Sequence, residues 1–427
     1  MKRKIAFKTL GCRLNQYETD AIASQFTKGN DFDVVPFDQE ADVYVINTCT
    51  VTNQSDQRSR NMINHAAKRK DDSVIIVTGC MANNQSSILE SRNKYTYLVD
   101  NKRKSSIYPI VKQHFDKGNV DINSYTKDVF SYQPAEETFH TRSLIKIQDG
   151  CDNFCSFCII PDVRGKAISR PVNKILDNIK QVIDFGFKEI VLTGVNIGRY
   201  DYNGSSFEDL VEQVLNIDGD FRVRISSIEP EGFGDKLFDL FNHPKLCPHL
   251  HLCLQSGSDK ILLQMRRMYT TKSYMEMVEK IKTQYPLFNL TTDIIVGFPG
   301  ETTSDFEETC KIARDVNFSH IHTFRYSIRE GTRAARMKDQ IPENIKIQRS
   351  EVIRQISLDN KKRYYQSMIG QKQTILSEGV SKNGMIHGYG EHYIPIETNL
   401  DTIEKNIFVP LVVNEVIDLE EPYLKGE

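Results

Sequence analysis

Three cysteines lie close together in the stretch "DGCDNFCSFC", which covers residues 149–158. They are Cys151, Cys155 and Cys158, and their spacing is C-x3-C-x2-C. A closed structural zinc site uses four ligands, and a disulfide framework uses an even number of cysteines. A group of three thiols therefore predicts either a fourth ligand from elsewhere in the chain or a metal centre with an open coordination position.

A second set of three cysteines, Cys12, Cys49 and Cys80, is spread along the N-terminal part of the chain. Each follows a short apolar run that is typical of a buried strand, and helically spaced polar stretches such as residues 53–69 come after these runs. Repeated strand–loop–helix units predict a parallel α/β sheet, which binds ligands beyond the carboxyl ends of its strands. The three thiols should therefore converge. Soft thiolates without a fourth protein ligand suit an iron–sulfur cluster with a free coordination site.

The composition is that of a soluble globular protein. The 427 residues are 39% hydrophobic and 26% charged, a length that suggests roughly three domains. No apolar run is long enough for a membrane span, and the cysteine content is not that of a disulfide-rich secreted protein. We therefore expect a cytoplasmic protein with no membrane partner. The net charge of −2 does not exclude nucleic acid, because a whole-chain sum hides a basic face.

The chain divides into predicted units of different pattern. An N-terminal α/β domain covers residues 1–115, with a fourth strand in 94–104, and a polar linker covers 116–140. Six β/α repeats follow in residues 141–340, with helices predicted at 173–185, 206–216, 235–242, 271–284 and 304–316. This order predicts a curved, incomplete parallel barrel with its active site at the carboxyl ends of the strands. The short polar signals "TGVN", "SIEP", "QSGS" and "GFPGE" fall at those ends.

The C-terminal residues have two further patterns. Residues 341–366 predict one long linking helix, which begins at Pro342 and is basic toward its end, and residues 367–427 predict a small five-stranded β-barrel. Tyr389, His392 and Tyr393 lie among polar neighbours, as on a surface that stacks nucleic-acid bases. Core aromatics of a small barrel are the favoured interpretation of these residues.

The motif C-x3-C-x2-C directly after the first strand of such a barrel resembles the radical S-adenosylmethionine superfamily. The whole chain is similar to the methylthiotransferases, and within that family to the MtaB type. The stretches that carry this resemblance are "LGCRLNQYETD", "NTCTVT", "TGCMA", "QDGCDNFCSFCIIPDVRG", "VLTGVNIGRY", "CLQSGSDKILLQMRRMY", "DIIVGFPGET" and "REGTRAARM". The fold that we expect is α/β: a flavodoxin-like parallel domain, a partial (β/α)6 radical S-adenosylmethionine barrel, and a small TRAM-like β-barrel that binds RNA.

The resemblance implies an enzyme that replaces a C–H bond by C–S–CH3 on N6-threonylcarbamoyladenosine, at position 37 beside the tRNA anticodon. An aromatic C–H has no acidity that a side-chain base can use, so cofactors must supply a one-electron route. The implied cofactors are two [4Fe–4S] clusters and S-adenosylmethionine. Cys151, Cys155 and Cys158 would hold the cluster that reduces S-adenosylmethionine to a 5′-deoxyadenosyl radical. Cys12, Cys49 and Cys80 would hold the cluster that binds or supplies the sulfur, and a second S-adenosylmethionine would methylate that sulfur.

Further contacts are predicted at the strand ends. Thr193, Gly194 and Asn196 are expected to bind the methionine part of the cofactor, and Glu229 to pair with its amine or with a basic group. Gln255 and Ser256 are expected at the ribose, and Ile295 and Gly297 beside the adenine. Arg164 is interpreted either as a partner of a carboxylate or phosphate or as a solvated side chain. Three cysteines are interpreted as structural: Cys247, Cys253 and Cys310.

The expected partners are tRNA, an electron donor such as flavodoxin or ferredoxin, and a sulfur source. The basic stretches 265–269 and 361–363 would suit tRNA phosphates. Two alternatives keep the reaction and change the substrate, to N6-isopentenyladenosine in tRNA or to an aspartate of a ribosomal protein. A third alternative is a non-catalytic iron–sulfur protein that binds RNA or transfers electrons, and it would not cleave S-adenosylmethionine.

Overall fold

The structure, a computed structural model, describes residues 2–85, 89, 95–381, 384–399 and 404–427. A parallel sheet, a curved set of parallel strands and a closed barrel follow one another along the chain. In the part of the chain that the structure describes, no helix has the length and apolar character needed to cross a membrane.

The N-terminal sheet contains the parallel strands β1 (Arg3–Thr9), β2 (Phe32–Val35), β3 (Val43–Thr48), β4 (Val74–Gly79) and β5 (Tyr97–Val99). The helices around it are α1 (Arg13–Lys28), α2 (Asn53–Ala66), α3 (Cys80–Asn84) and α4 (Ile107–Lys117). The strand order is β2-β1-β3-β4-β5, that of a doubly wound sheet. Val43 and Val45 pack on one face, while Tyr44 and Ile46 pack on the other. The predicted parallel α/β sheet is confirmed.

The fourth strand predicted over residues 94–104 is shorter in the structure. Residue 94 lies outside the described residues, and the strand ends at Val99. The carboxylate of Asp100 accepts hydrogen bonds from the backbone amides of Lys102 and Arg103, at 2.8 and 2.9 Å. This local turn competes with the extended backbone and stops the strand.

The central part contains two parallel sheets and two small antiparallel pairs. Its strands are β6 (Ser143–Lys146), β7 (Gln148–Asp149), β8 (Ile168–Ser169), β9 (Glu189–Thr193), β10 (Asp201–Tyr202), β11 (Ser205–Ser206), β12 (Arg222–Ile225), β13 (Ser227–Ile228), β14 (His249–Leu252), β15 (Asn289–Val296) and β16 (His320–Arg325). Its helices are α5 (Ile160–Arg164), α6 (Val172–Asp184), α7 (Phe207–Leu215), α8 (Lys236–Leu240), α9 (Asp259–Gln264), α10 (Thr271–Gln284) and α11 (Thr303–Val316). The five predicted helices are present, and each of their ends lies within two residues of the prediction.

The two parallel sheets have the orders β12-β9-β6 and β13-β14-β15-β16. Only Ser226 separates β12 from β13, so one segment of chain takes part in both sheets. Along β14 the side chains alternate: Leu250 and Leu252 pack in the core beneath the outer helices, whereas His249 and His251 line a cavity on the inner side. The predicted series of parallel strands is confirmed, and it is divided into two sheets rather than forming one.

The long helix α12 (Glu343–Ser367) begins after Pro342, as predicted. It packs on the central part: the hydroxyl of Ser357 accepts a hydrogen bond from the amide of Ile321 at 2.9 Å, and Asn360 donates to the carbonyl of Ala313 at 2.7 Å. The helix is therefore anchored along the edge strand β16.

The C-terminal strands are β17 (Lys372–Val380), β18 (Ile386–Tyr389), β19 (Pro395–Thr398), β20 (Phe408–Ile417) and β21 (Tyr423–Gly426). They close into a barrel in the order β17-β18-β19-β21-β20, which confirms the predicted five-stranded barrel. Aliphatic side chains such as Ile375, Ile396 and Leu424 fill it, and Tyr364 and Tyr365 of α12 pack against this core.

Candidate active site

The N-terminal cysteines follow three neighbouring strands of the parallel sheet. Cys12 comes after β1, Cys49 after β3 and Cys80 at the start of α3, directly after β4. Burial raises the pKa of the Cys49 thiol, and the negative charges of Cys80 and Cys12 raise it further. Because these charges interact, the three sulfur atoms face a common region, as the strand-end argument predicts.

Two glycines let the loops that carry these cysteines approach one another. Gly11 has φ +95°, and a Cβ on it would lie 2.9 Å from the Cys49 sulfur. Gly79 has φ +94°, and a Cβ there would lie 2.3 Å from the Thr48 carbonyl oxygen. A side chain at either position would combine backbone strain with a steric clash. A glycine directly before Cys12 and directly before Cys80 is therefore required by this close approach.

The other three cysteines lie in the loop between β7 and α5. The backbone amides of Asn153 and Ile160 point at the sulfur atoms of Cys151 and Cys158, each at 3.5 Å. The side-chain amide of Asn196 lies 3.9 Å from the Cys151 sulfur. Such N–H groups stabilise sulfur in its charged form. Without a bound group, burial raises the pKa of the Cys158 thiol to about 12, so this thiol needs a metal to become a thiolate near neutral pH.

The spacing of the thiols argues against a single metal ion. A tetrahedral zinc ion with Zn–S bonds of about 2.3 Å brings its sulfur ligands to about 3.8 Å from one another. Among the described residues, the one set of three histidine, cysteine or carboxylate ligand atoms within 4.8 Å of one another is that of His251, Cys253 and Asp293. Both cysteine triads are thus more widely spaced than a single ion requires. Their donor set fits an iron–sulfur cluster, in which each thiolate binds its own iron.

Five buried charged side chains form a network beside the N-terminal triad, which we call the charge network. Arg164 lies 3.1 Å from Glu18 and 3.0 Å from Asp149, and Lys146 lies 2.8 Å from Glu18 and 2.6 Å from Asp149. Lys104 also pairs with Glu18. Although burial alone would raise it, the pKa of Glu18 is held well below its usual range by these cations. Three cations face two carboxylates, so one positive charge is left in excess.

The excess positive charge of the charge network acts on the N-terminal triad. Burial raises the pKa of the Cys80 thiol, and the positive charges of Arg164 and Lys104 oppose that rise. Arg164 itself ends α5, the helix that follows Cys158, and its charge acts on Cys80, so it connects the two sets of cysteines. The interpretation of Arg164 as a solvated side chain is wrong: its carboxylate partners are protein groups, and its 5% exposure excludes a solvent role.

A cavity of about 1150 Å³ lies at the meeting point of the three parts of the chain. Cys12 belongs to its N-terminal wall, Thr193 and Asp293 to its central wall, and Tyr389 and Tyr393 to its C-terminal wall. We call this space the central cavity. Its size is that of a site for a drug-sized ligand or somewhat larger.

Histidines make up much of the inner wall of the central cavity, and our sequence analysis missed them. They are His249 and His251 of β14 and His320 and His322 of β16. His251 lies 3.1 Å from the carboxylate of Asp293. Burial, followed by the charge of His322, lowers the pKa of His320 to about 4. The i, i+2 spacing in "HLHL" and "HIHT" was a usable signal, because it places both members of each pair on one face of a strand.

Three of the predicted cofactor-binding residues lie at the carboxyl end of β9. Thr193 and Gly194 line the central cavity. The backbone amide of Asn196 donates to the side chain of Gln148 at 2.9 Å, and its buried side-chain oxygen has no hydrogen-bond partner among the described residues. An unpartnered buried oxygen that neighbours the cysteine loop suits the binding of a polar ligand.

The predicted cofactor contacts Glu229, Gln255 and Ser256 each have different neighbours in the structure. Glu229 forms an ion pair with Arg267, whose charge also opposes the raised pKa of Cys155 that burial causes. The backbone of Gln255 forms hydrogen bonds with β15, and Gln255 has a φ angle of +65°. The buried hydroxyl of Ser256 lies 3.4 Å from that of Thr309 in α11.

Ile295 and Gly297 end β15 at a packed position. Ile295 packs with Phe298 and Tyr326. Gly297 has φ +71°, and a Cβ on it would meet the side chain of Lys346 at 2.3 Å. The glycine is thus required for the approach of α12, whatever ligand lies at this strand end.

Buried arginines connect the central strands to the C-terminal barrel. Arg142, Arg222 and Arg224 surround the fully buried Glu189 at 2.8, 2.6 and 3.0 Å. Arg222 also donates to the carbonyl of Thr374 at 2.7 Å, and Arg224 to that of Glu391 at 3.0 Å. These charge-assisted bonds hold the C-terminal barrel over the inner side of the central strands.

Tyr389 and Tyr393 stack on each other with a centroid distance of 4.9 Å, and the guanidinium of Arg142 lies 4.6 Å from the Tyr389 ring. They are not core aromatics, so the favoured interpretation of these two residues is wrong. The core of the C-terminal barrel is aliphatic, and the two rings face the central cavity instead. The ring of His392 is hydrogen-bonded to Gln373, and burial, followed by the charge of Arg224, lowers its pKa to about 4.

Comparison with known proteins gives two family matches and close relatives. Residues 4–100 match the Uncharacterized protein family UPF0004, and residues 145–313 match the Radical SAM superfamily. A protein of Thermotoga maritima, "Threonylcarbamoyladenosine tRNA methylthiotransferase MtaB", is 37% identical over 92% of this chain and 91% of its own length. A protein of Bacillus subtilis with the same name is 37% identical over 99% of this chain and 96% of its own.

A solved structure shows the same fold at low identity. The radical S-adenosylmethionine methyltransferase TsrM from Kitasatospora setae matches 78% of this chain and 77% of its own, with a TM-score of 0.56 and 12% identity. The geometry, the superfamily match and the identity to these relatives over nearly the whole chain agree with one another. This chain is a member of the methylthiotransferase family of radical S-adenosylmethionine enzymes.

Proposed function

We propose that this protein converts N6-threonylcarbamoyladenosine at position 37 of tRNA to its 2-methylthio derivative. One observation carries the proposal: two cysteine triads, both too widely spaced for a single metal ion, are joined through Arg164, and a cavity large enough for a nucleoside adjoins Cys12. A single cluster would be enough for cleavage of S-adenosylmethionine. A second triad supports a reaction that also requires a sulfur donor.

Cys151, Cys155 and Cys158 are proposed to hold one [4Fe–4S] cluster, with one iron left free for S-adenosylmethionine. When bound, this cluster supplies the electron that cleaves S-adenosylmethionine reductively. The chain's own contribution is to orient and shield it. The amides of Asn153 and Ile160 stabilise negative charge on sulfur.

Cys12, Cys49 and Cys80 are proposed to hold a second cluster, which supplies the sulfur when bound. The charge network supports this assignment, because its excess positive charge offsets the negative charge of three thiolates. The charge network also bonds α1 to α5, the helix directly after Cys158. It therefore keeps the two triads at a fixed separation.

The contacts proposed for S-adenosylmethionine remain those of the strand ends. We assign its methionine part to Thr193, Gly194 and Asn196, with Glu229 near the amine. The ribose is assigned to Gln255 and Ser256, and the adenine to Ile295 and Gly297. The best supported of these is Asn196, because its amide nitrogen already faces a cluster cysteine and its oxygen has no partner among the described residues.

We further propose a division of labour along the chain. Residues 1–115 form the methylthiotransferase domain, 116–140 the linker, 141–340 the radical barrel, 341–366 the linking helix and 367–427 a TRAM-like domain that binds tRNA. Reduction of the clusters requires an electron donor such as flavodoxin or ferredoxin, and repeated turnover requires a sulfur source. A tRNA substrate implies that the enzyme acts in the cytoplasm.

The proposal is tested by mass spectrometry of tRNA nucleosides from cells with and without the gene. The 2-methylthio derivative of N6-threonylcarbamoyladenosine should disappear on deletion and return with the wild-type gene, but not with a Cys155→Ala variant. Loss of a methylthio derivative of isopentenyladenosine instead would assign the alternative substrate. No change in any methylthio nucleoside would contradict the proposed function.

A further inference from the structure

Four arginines and lysines line the central cavity, and three of them have carboxylate partners. Arg142 and Arg224 pair with Glu189, and Lys361 lies 3.1 Å from Glu421. The fourth is Arg13, for which no carboxylate within 4.0 Å is found among the described residues. Arg13 is therefore a guanidinium that faces the cavity without a counter-ion.

The guanidinium of Arg13 is nevertheless held in place. Its Nη2 donates to the hydroxyl of Tyr393 at 3.1 Å, and its central carbon lies 5.5 Å from the centre of that ring. Tyr393 is itself stacked on Tyr389. A guanidinium has five N–H donors, and this contact occupies one of them. The arrangement orients the group across the cavity while leaving donors free for a ligand.

His249 and His322 of the cavity do not provide a competing positive charge. Burial lowers the pKa of His322, and it holds the pKa of His249 well below its usual range, with the charge of Arg13 contributing to both. Both imidazoles are therefore neutral near pH 7. Arg13 is the fixed charge on this side of the cavity that a ligand can neutralise.

We propose that Arg13 binds the carboxylate of the threonylcarbamoyl substituent and so makes the site select that substituent over an apolar one. This inference rests on the proposed function. The threonylcarbamoyl group ends in a carboxylate and a hydroxyl, which suit the paired N–H donors of a guanidinium. An isopentenyl group has neither. It would cover the guanidinium without accepting its hydrogen bonds, and burial of a charge without a partner costs free energy.

The position of Arg13 in the chain places it beside the N-terminal triad. It directly follows Cys12 and begins α1. A substituent bound there keeps the modified base beside the N-terminal triad, which is the proposed sulfur site. The C-terminal barrel, through Tyr393, then contributes to recognition of the nucleoside as well as of the tRNA.

The test compares anticodon stem-loop RNAs that differ only at position 37. One carries N6-threonylcarbamoyladenosine, one carries its carboxamide, and one carries N6-isopentenyladenosine. Reconstituted full-length wild type, Arg13→Gln and Arg13→Lys are assayed for methylthio product and, separately, for RNA affinity by fluorescence anisotropy. Arg58→Gln is the matched control, since Arg58 is an exposed arginine of α2 outside the cavity.

Wild type and Arg58→Gln should favour the carboxylate RNA over the carboxamide RNA by about 10- to 100-fold in kcat/KM, the loss expected for one charge-assisted hydrogen-bond pair. Arg13→Gln should lose this preference, and Arg13→Lys should keep part of it. An Arg13→Gln variant that is weakened equally on all three RNAs, with its preference unchanged, would show that Arg13 binds RNA phosphate and would overturn the inference.

Two further results distinguish a failure of the proposed function from a failure of the inference about Arg13. If wild type makes no methylthio product from the threonylcarbamoyl RNA, the proposed function fails rather than this inference. If Arg13→Gln loses iron because of its neighbour Cys12, Tyr393→Phe gives the decision, since it removes the hydroxyl that orients Arg13 and keeps the ring. A reduced preference in Tyr393→Phe supports the inference, and an unchanged preference overturns it.

Discussion

Arg164 and Glu18 are 146 positions apart in the chain, and they form a buried ion pair with an N–O distance of 3.1 Å. Glu18 belongs to α1 of the N-terminal part, and Arg164 ends α5, the helix that follows Cys158. The pair therefore couples the two cysteine triads mechanically as well as electrostatically.

Removing the negative charge of Glu18 should destabilise the protein strongly. In Glu18→Gln, three buried cations would face the single carboxylate of Asp149, and a buried charge without its partner costs about 3–5 kcal/mol. The free energy of unfolding from urea denaturation measures the loss. Glu136→Gln is the control, because Glu136 pairs with Lys28 at the exposed surface, where such pairs are worth about 0–1 kcal/mol. Equal losses in the two variants would contradict a structural role for the network.

A second buried arginine, Arg329, should keep the Cys49 loop in place. Its guanidinium donates to the Thr50 carbonyl at 2.9 Å and pairs with Asp56 at 2.6 Å. Arg329→Ala should therefore release the loop and lower the iron retained by the N-terminal triad. Iron content after reconstitution and gel filtration measures the effect. Arg325→Ala is the matched control, since Arg325 pairs with Glu343 at the surface; iron loss in that control as well would refute the specific role.

The sequence predicted the parts of this fold that local signals determine. The helix predicted over 271–284 has the same ends in the structure, where Thr270 and Ser273 form a capping box at its start. The strands before Cys49 and Cys80 are predicted from their apolar runs, and both strands are buried over their whole length.

The charged contacts between distant segments were not predictable in the same way. Arg164 was interpreted as solvated or bound to a cofactor group, because nothing near it in the sequence identifies Glu18 as its partner. Tyr389 and Tyr393 were interpreted as core residues, because their burial depends on where the C-terminal barrel sits. Such contacts depend on tertiary arrangement, which neither periodicity nor spacing encodes.

Asp20 should make stability depend on pH between pH 5 and pH 8. Burial raises the pKa of Asp20 in α1 to about 7, well above the value of about 3.9 in an unfolded chain. Between these values the folded state holds a proton that the unfolded state has released, so stability falls as the pH rises. Asp20→Asn removes this dependence, and its stability relative to wild type should rise by about 3 kcal/mol from pH 5 to pH 8.

Urea denaturation across this pH range measures the difference between Asp20→Asn and wild type. Asp72→Asn is the control, since Asp72 is exposed in the loop after α2. Parallel pH profiles for Asp20→Asn and wild type would show that Asp20 titrates normally in the folded protein.

The two triads should bind iron independently. Reconstituted wild type should hold about eight irons per chain if each triad carries a four-iron cluster. Replacing Cys151, Cys155 and Cys158 by alanine should remove about half of the iron and leave the N-terminal cluster. Iron and sulfide analysis measures this, with Cys247→Ala as a control because that buried cysteine belongs to neither triad. Loss of all iron from the triple variant would mean that the six cysteines build one site.

The central claim is that one triad cleaves S-adenosylmethionine and the other provides the sulfur. The most direct test is the reconstituted variant in which Cys12, Cys49 and Cys80 are replaced by alanine, given a reductant and an anticodon stem-loop RNA with N6-threonylcarbamoyladenosine. Mass spectrometry of that reaction should detect 5′-deoxyadenosine, because the other cluster is intact, and no methylthio nucleoside, because the sulfur site is absent. A methylthio product from this variant would contradict the account.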